Sequence, residues 1–322
     1  MKTVKGRLMQ ASKTQGIMVL GTLLAAIGAT GCGSEDTHVD DGHAHDSGVV
    51  TDGGVVTDSG AVTDAGAVSS AVTLRFAAKV GDLPFRCGET FANVGTTAGQ
   101  WSPTDFRFYV HDVRVVTAAG EVPVALTQDG RWQHESVALL DFEDRSGACT
   151  NGTTAMNAQV VGTLPAGTVG PITGVRFKLG VPFALNHANQ ALAPSPLNLS
   201  TLWWNWQGGY KFLRVDGQIM NPMNPAAASW FVHVGSTGCN GGASGGVTSC
   251  ANPNRVEVEL TGFDPARNTV VADLAGLLST SDVRVTRAAP GCMSELGDPE
   301  CPPVLRGLGI GDGATQNFFR ME

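Results

Sequence analysis

The 322-residue chain carries 21 Lys and Arg against 29 Asp and Glu, for a formal net charge of −8, and 42 % of its residues are hydrophobic. That is enough apolar material for a large core, without the basic surplus that would draw a nucleic acid. Seven cysteines and 42 glycines point to an exported, loop-rich protein rather than a cytosolic one.

Residues 1–31 have the grammar of a bacterial lipoprotein leader: Lys2, Lys5, Arg7 and Lys13, then an apolar run over 17–29, then Ala29, Thr30, Gly31 and Cys32. The apolar run is too short to span a bilayer, and no later stretch reaches that length. Cleavage after Gly31 would leave Cys32 as an acylated N-terminus, placing the protein in the cell envelope, periplasmic or on the outer-membrane surface, with lipid as its only membrane contact. Ordinary cleavage that leaves Cys32 free is the alternative. Residues 32–71 read as a tether. They repeat Thr-Asp-x-Gly-x-Val at 51–56, 57–62 and 63–68, with a diverged copy at 45–50, and from Cys32 to Leu74 they carry Glu35, Asp36, Asp40, Asp41, Asp46, Asp52, Asp58 and Asp64 without a Lys or Arg. So small and acidic a sequence buries too little apolar area to offset the entropy of ordering it. His38, His43 and His45 within it suit a solvated spacer better than a metal site.

From residue 72 to 322 the pattern is that of one all-β domain. Alternation is clear over 72–80 and again over 106–116, where Phe106, Phe108 and Val110 fall on one side and Arg107, Tyr109 and His111 on the other. Further strands are expected over 136–142, 159–164, 172–181, 210–215, 229–234, 255–261, 269–274 and 317–320, separated by Gly, Pro and Asn-Pro turns. Helix is expected only around 272–278, with a turn near 197–203. Many short strands and glycine-rich loops predict a β-sandwich or Greek-key barrel. Apart from Cys32, six cysteines remain, Cys87, Cys149, Cys239, Cys250, Cys292 and Cys301, which read as three disulfides. Fifteen pairings are possible; close spacing favours Cys239 with Cys250 and Cys292 with Cys301, leaving Cys87 for Cys149. A structural zinc site is disfavoured because no C-x-x-C occurs.

Two motifs that might suggest an enzyme fail on context. Gly242-Ala-Ser-Gly-Gly246 fits the nucleophile-elbow spacing, but it lies in a glycine-rich loop between two cysteines rather than between a strand and a helix. Gly307 to Gly313 lacks the Lys-Ser/Thr of a phosphate loop. The concentration of chemistry lies instead around Trp203, Trp204 and Trp206, three of the six tryptophans. His187 precedes them and His233 follows, two of only four histidines outside the tether, with His111 and His134. Neutral imidazoles against an indole wall would make a dry, low-coordinate pocket of the kind copper(I) accepts. Met220 and Met223 are possible thioether donors, and ordinary core packing is the plain alternative for all of these residues.

Asn186-His187, Pro194-Ser-Pro-Leu-Asn198, Trp204-Asn-Trp206-Gln-Gly-Gly-Tyr-Lys-Phe212, His233-Val-Gly-Ser-Thr-Gly-Cys239 and Gln316-Asn-Phe-Phe-Arg320 together resemble the MbnP-like copper-binding proteins, the four-cysteine members of the metallo-mystery pair. Phe106-Arg-Phe-Tyr-Val-His-Asp-Val and Ala138-Leu-Leu-Asp-Phe-Glu-Asp add to the resemblance, which covers residues 73–321. It implies a copper-binding envelope protein whose partner is a di-haem protein similar to MauG and cytochrome c peroxidases, which oxidises a tryptophan to kynurenine. Carried over, His187 and His233 are implied ligands and Trp204 or Trp206 the implied target, so that the chain is a substrate and not an enzyme. Trp203 is an indole the family pattern does not place, and His111, where the family often has a small polar residue, is an added candidate ligand. The rivals are a surface lipoprotein that binds no metal and a carbohydrate-binding β-sandwich module.

Overall fold

In the computed structural model the described residues are 70–322 except 169, 222–223, 243–245, 285–288 and 296, with only the backbone described at 221, 224–227 and 242. The leader, Cys32, most of the tether, Met223 and Ser244 lie outside them.

Among the described residues the first strand is β1, Ser70–Val80, and the longest is β2, Gly99–Thr117. Next come β3, Val137–Asp141, β4, Gln159–Leu164, and β5, Gly174–Leu179. A long connection carrying the short helix α1, Phe183–Asn186, leads to β6, Leu213–Asn221, and β7, Phe231–Val234. The hairpin of β8, Thr237–Gly242, and β9, Gly246–Asn252, is followed by β10, Val256–Thr261, and β11, Val270–Asp273. Helices α2, Leu274–Leu278, and α3, Cys301–Gly307, precede the last strand, β12, Phe319–Met321.

Two mixed sheets form the sandwich. The smaller runs β12, β11, β1, β4, with β1 and β11 parallel; the larger runs β10, β5, β2, β6, β7, with β3 also on β2. Val72, Leu74 and Phe76 of β1 and Phe106, Phe108 and Val110 of β2 interleave with Phe177, Val215 and Phe319 in one core. Ring pairs bridge the sheets, Phe76 with Phe108 at 6.2 Å and Phe177 with Phe319 at 5.1 Å. The expected β-sandwich is therefore the fold.

Strict alternation breaks along β2, first between Pro103 and Asp105, where its register on β6 shifts, and again at residue 112. Asp112 has φ of 52° and the β2–β5 register shifts beside it, so Val113 and Val115 point inward although they have the opposite parity to Phe106, Phe108 and Val110. The bulge keeps both apolar runs of β2 on the core side. Asp273 ends a strand and starts α2: its side chain accepts from the Ala275 and Gly276 amides. The helix expected at 272–278 is thus strand to residue 273 and helix from 274. The hairpin of β8 and β9, helix α3 and the first seven residues of β2 were not expected. Disulfides join Cys87 to Cys149, Cys239 to Cys250 and Cys292 to Cys301, the pairing that close spacing favours. Among the described residues no helix is long and apolar enough to cross a membrane.

Candidate functional site

The outer face of the large sheet is buried as well, by the connection between β5 and β6. Tyr109 donates to the Pro196 carbonyl at 2.9 Å and Tyr210 to the Leu197 carbonyl at 2.5 Å. With Val137, Leu139, Val181, Leu202 and Phe212 they form a second apolar cluster outside the main core.

Beside that cluster runs an ionic row. Arg107 of β2, Arg214 of β6 and His233 of β7 occupy adjacent register positions on three neighbouring strands. Asp105, fully buried, is bound by Arg107 through two bonds of 2.8 and 2.5 Å and by Arg214 at 3.1 Å. Arg214 also meets Asp216 at 2.5 Å and donates to the Thr201 carbonyl at 2.7 Å. Asp216 takes His233 Nε2 at 2.5 Å and the Asn151 amide at 3.3 Å. Burial alone would raise Asp216, but its bonds from His233 and Arg214 overcome that and hold it at about 2. Burial pushes His233 below its ordinary value against the pull of Asp216. A neutral His233 then donates Nε2–H to the Asp216 carboxylate and keeps a lone pair on Nδ1, which is buried without a hydrogen-bond partner. A carboxylate that fixes one imidazole nitrogen so that the other is free is how ligating histidines are commonly held.

Of the clustered tryptophans, Trp204 lies at the end of β7. A side chain at position 235 would meet the Trp204 ring at 2.4 Å, so the glycine two residues past His233 is what lets the indole lie against the backbone. Trp204 walls a cleft of about 600 Å³ with Asn205, Gln207, Thr237, Cys239 and Met293. Trp206 is 40 % exposed, and its carbonyl lies 3.4 Å from His187 Nδ1. Trp203 Nε1 is buried without a partner.

The candidate histidines sit in different local settings. His187, at the C-terminus of α1, has Nε2 3.0 Å from the Asn186 amide and 3.4 Å from Cys250 Sγ, and burial lowers its pKa. The group of His187, Cys239 and Cys250 looks like a metal site by distance, but both sulfurs are tied in a disulfide and offer no thiolate. His111 lies four residues along β2 from Arg107, or ~13 Å at strand rise; its Nδ1 is 2.8 Å from the Gly180 carbonyl, and burial lowers it to about 4. Among the described residues these three imidazoles do not form one group with ligand atoms within 4.8 Å of one another, nor do His187 and His233 with Asp216. His187 keeps company with Trp206 and Cys250, and His233 with Asp216. Strand register sets the partner of His233, and the end of α1 that of His187. Met220 lies on β6, 41 % exposed.

Sequence reasoning missed Asp105, Arg107, Asp216 and Arg214 as site residues. Charged residues alternating with apolar ones are the ordinary signature of a wet strand face, and nothing local announces that a connection covers it.

A disulfide-stapled β-sandwich with a covered ionic face and an indole-walled cleft at the edge of its larger sheet is the class that fold and site define. The MbnP family model matches residues 69–294, and the structure is similar to MbnP from Methylosinus trichosporium at 35 % identity and a TM-score of 0.68, over 79 % of this chain and 98 % of that one. The chain belongs to the MbnP family. No curated protein matches.

Proposed function

We propose that this protein is a lipid-anchored copper-binding protein of the bacterial envelope and the substrate, not the catalyst, of a di-haem partner similar to MauG. The observation that carries the reading is His233 Nδ1, a buried, neutral nitrogen lone pair without a partner, oriented by Asp216. Family membership and the neighbouring indole wall support it. A copper(I) ion is a soft closed-shell acceptor content with two or three donors. His233 would hold it, with His187, beside Trp206, the further candidate. Trp204 is the favoured target of oxidation because it is packed against Gly235 close to His233, whereas Trp206 is half in solvent. Opening its ring would turn an apolar wall into an aryl amine and a carbonyl, both possible donors.

Copper(I) should bind stoichiometrically, and His233→Ala should weaken it by about tenfold or more, worth at least about 1.4 kcal/mol; His187→Ala should have a smaller effect. A competition titration that finds both variants unchanged removes them as ligands. Protein made beside its di-haem partner should carry about +32 Da on the Trp204 peptide, from two oxygen atoms added across the indole C2–C3 bond, or about +4 Da once formate is lost. Unmodified peptides from cells with an active partner would refute the substrate role. The exposed face of Trp206 also suits stacking on a sugar; quenching of its fluorescence by oligosaccharides, with no metal in protein from native cells, would favour that reading.

A further inference from the structure

We infer that the Cys87–Cys149 disulfide is a thiol-exchange site, at which the thiolate of a dithiol reductant attacks Cys87 and Glu143 protonates the departing Cys149.

The two sulfurs differ in access. Cys149 is 1 % exposed, whereas Cys87 is part-exposed and lines a cleft of about 460 Å³ with Pro84, Phe85, Glu89, Asp144 and Met156. A nucleophile can approach Cys87 Sγ, and Cys149 is then the leaving group. Behind the bond sits Glu143, with no exposed surface, one carboxylate oxygen lying within 4.8 Å of both sulfurs. Its Oε1 accepts from the Arg145 amide at 3.0 Å, and its Oε2 has no hydrogen-bond partner. A Cβ at Gly152 would sit 1.6 Å from Oε2, so the carboxyl group has its seat only because residue 152 lacks a side chain. A buried carboxylate oxygen without a partner is costly, and this carboxyl group borders the bond whose cleavage releases a buried anion.

The charges that face Glu143 are Asp105, Arg107, Asp144 and Asp141, whose carboxylate also accepts from the Glu143 amide at 2.9 Å. Burial, Asp105 and Asp144 raise its pKa, against Arg107 and the Arg145 amide, so it holds its proton to higher pH than an ordinary glutamate. In the exchange the incoming thiolate gives its electron pair to Cys87 Sγ and forms a mixed disulfide. The Cys87–Cys149 bond breaks, its pair goes to Cys149 Sγ, and Glu143 supplies the proton. The second thiol of the reductant then displaces Cys87, so that two electrons reach the protein and the reductant leaves as a disulfide. In the reverse direction the Glu143 carboxylate takes the proton of Cys149 as the bond re-forms. This site is independent of copper.

The test follows each disulfide separately. The full chain is exposed to dithiothreitol, quenched by alkylation over time and read by peptide mass spectrometry. Glu143→Gln, which keeps the shape but has no proton to give, should slow opening of Cys87–Cys149 by about tenfold or more at pH 6, with the gap narrowing as pH rises. Cys239–Cys250, part-exposed and not grouped with Glu143, should change by no more than about twofold and serves as the control. In the unaltered protein, a monothiol such as glutathione should be trapped as a mixed disulfide on Cys87. Equal opening rates in the two proteins at every pH, or an adduct on Cys149 instead, would overturn the proposal.

Discussion

Over residues 105–111 the two faces of β2 are buried to the same degree and built on opposite principles. Inward, Phe106, Phe108 and Val110 are fully covered by the opposing sheet; outward, Asp105, Arg107, Tyr109 and His111 are covered almost as completely by one long connection. The inner face tolerates any apolar group of the right size, since dispersion and burial are non-directional. The outer face is held by directed bonds, each useful only while its partner is present. Chemistry is therefore found on the outer face: its polar groups are desolvated, oriented and, at His233 Nδ1 and Glu143 Oε2, incompletely satisfied.

Substitution sharpens this contrast most. Phe108→Ala and Asp105→Ala should each cost about 3–5 kcal/mol, the first through a cavity and the second by leaving Arg107 and Arg214 buried with one counter-charge too few. The faces separate on the conservative change: Phe108→Leu should recover most of the loss, whereas Asp105→Asn should not, as denaturant titration would register. Equal recovery at both positions would mean that the ionic row is better solvated than its burial indicates.

A smaller effect is expected one bond further along. Asp216→Asn replaces the carboxylate that fixes the His233 tautomer with a neutral amide that can offer either its oxygen or its NH2, and should weaken copper(I) about 10- to 100-fold while leaving the apolar core intact. Val215→Ala, the adjacent inward residue, should lower stability without a matching change in affinity; a competition titration and a melting curve on both variants separate the two.

The mildest probe is pH. Burial raises Asp141, on the outer side of β3, from 3.8 to about 7, chiefly by desolvation. Between those values the folded state keeps a proton that the unfolded state has lost, so Asp141 makes stability fall as pH rises from about 4 to about 7, by roughly 1 kcal/mol per pH unit. His111, lowered to about 4, contributes the opposite slope over much of the same window. Asp141→Asn removes only the first slope, so the variant should gain on the parent steadily from pH 4 to pH 7. A constant difference across that range would place Asp141 in water.

Part of this was legible before any coordinate. The period-two runs at 72–80 and 106–110 force one apolar face on each strand, which makes a sandwich the economical solution, and the short spacings of Cys239 with Cys250 and Cys292 with Cys301 limit which sulfurs can meet. The motifs from Asn186 to Arg320 carried the family. Local sequence also marked His233 and Trp204 as unusual, because imidazoles and clustered indoles are scarce in this chain. It was silent on who stands next to whom. That Asp216, seventeen positions upstream, binds His233, that the imidazole of His187 turns to Trp206 and Cys250, and that Glu143 ends beside Cys87 and Cys149 all follow from strand register and from the path of a covering loop. Those are fixed by contacts between distant parts of the chain, and a hydrogen bond of under 3 Å depends on all of them being right at once.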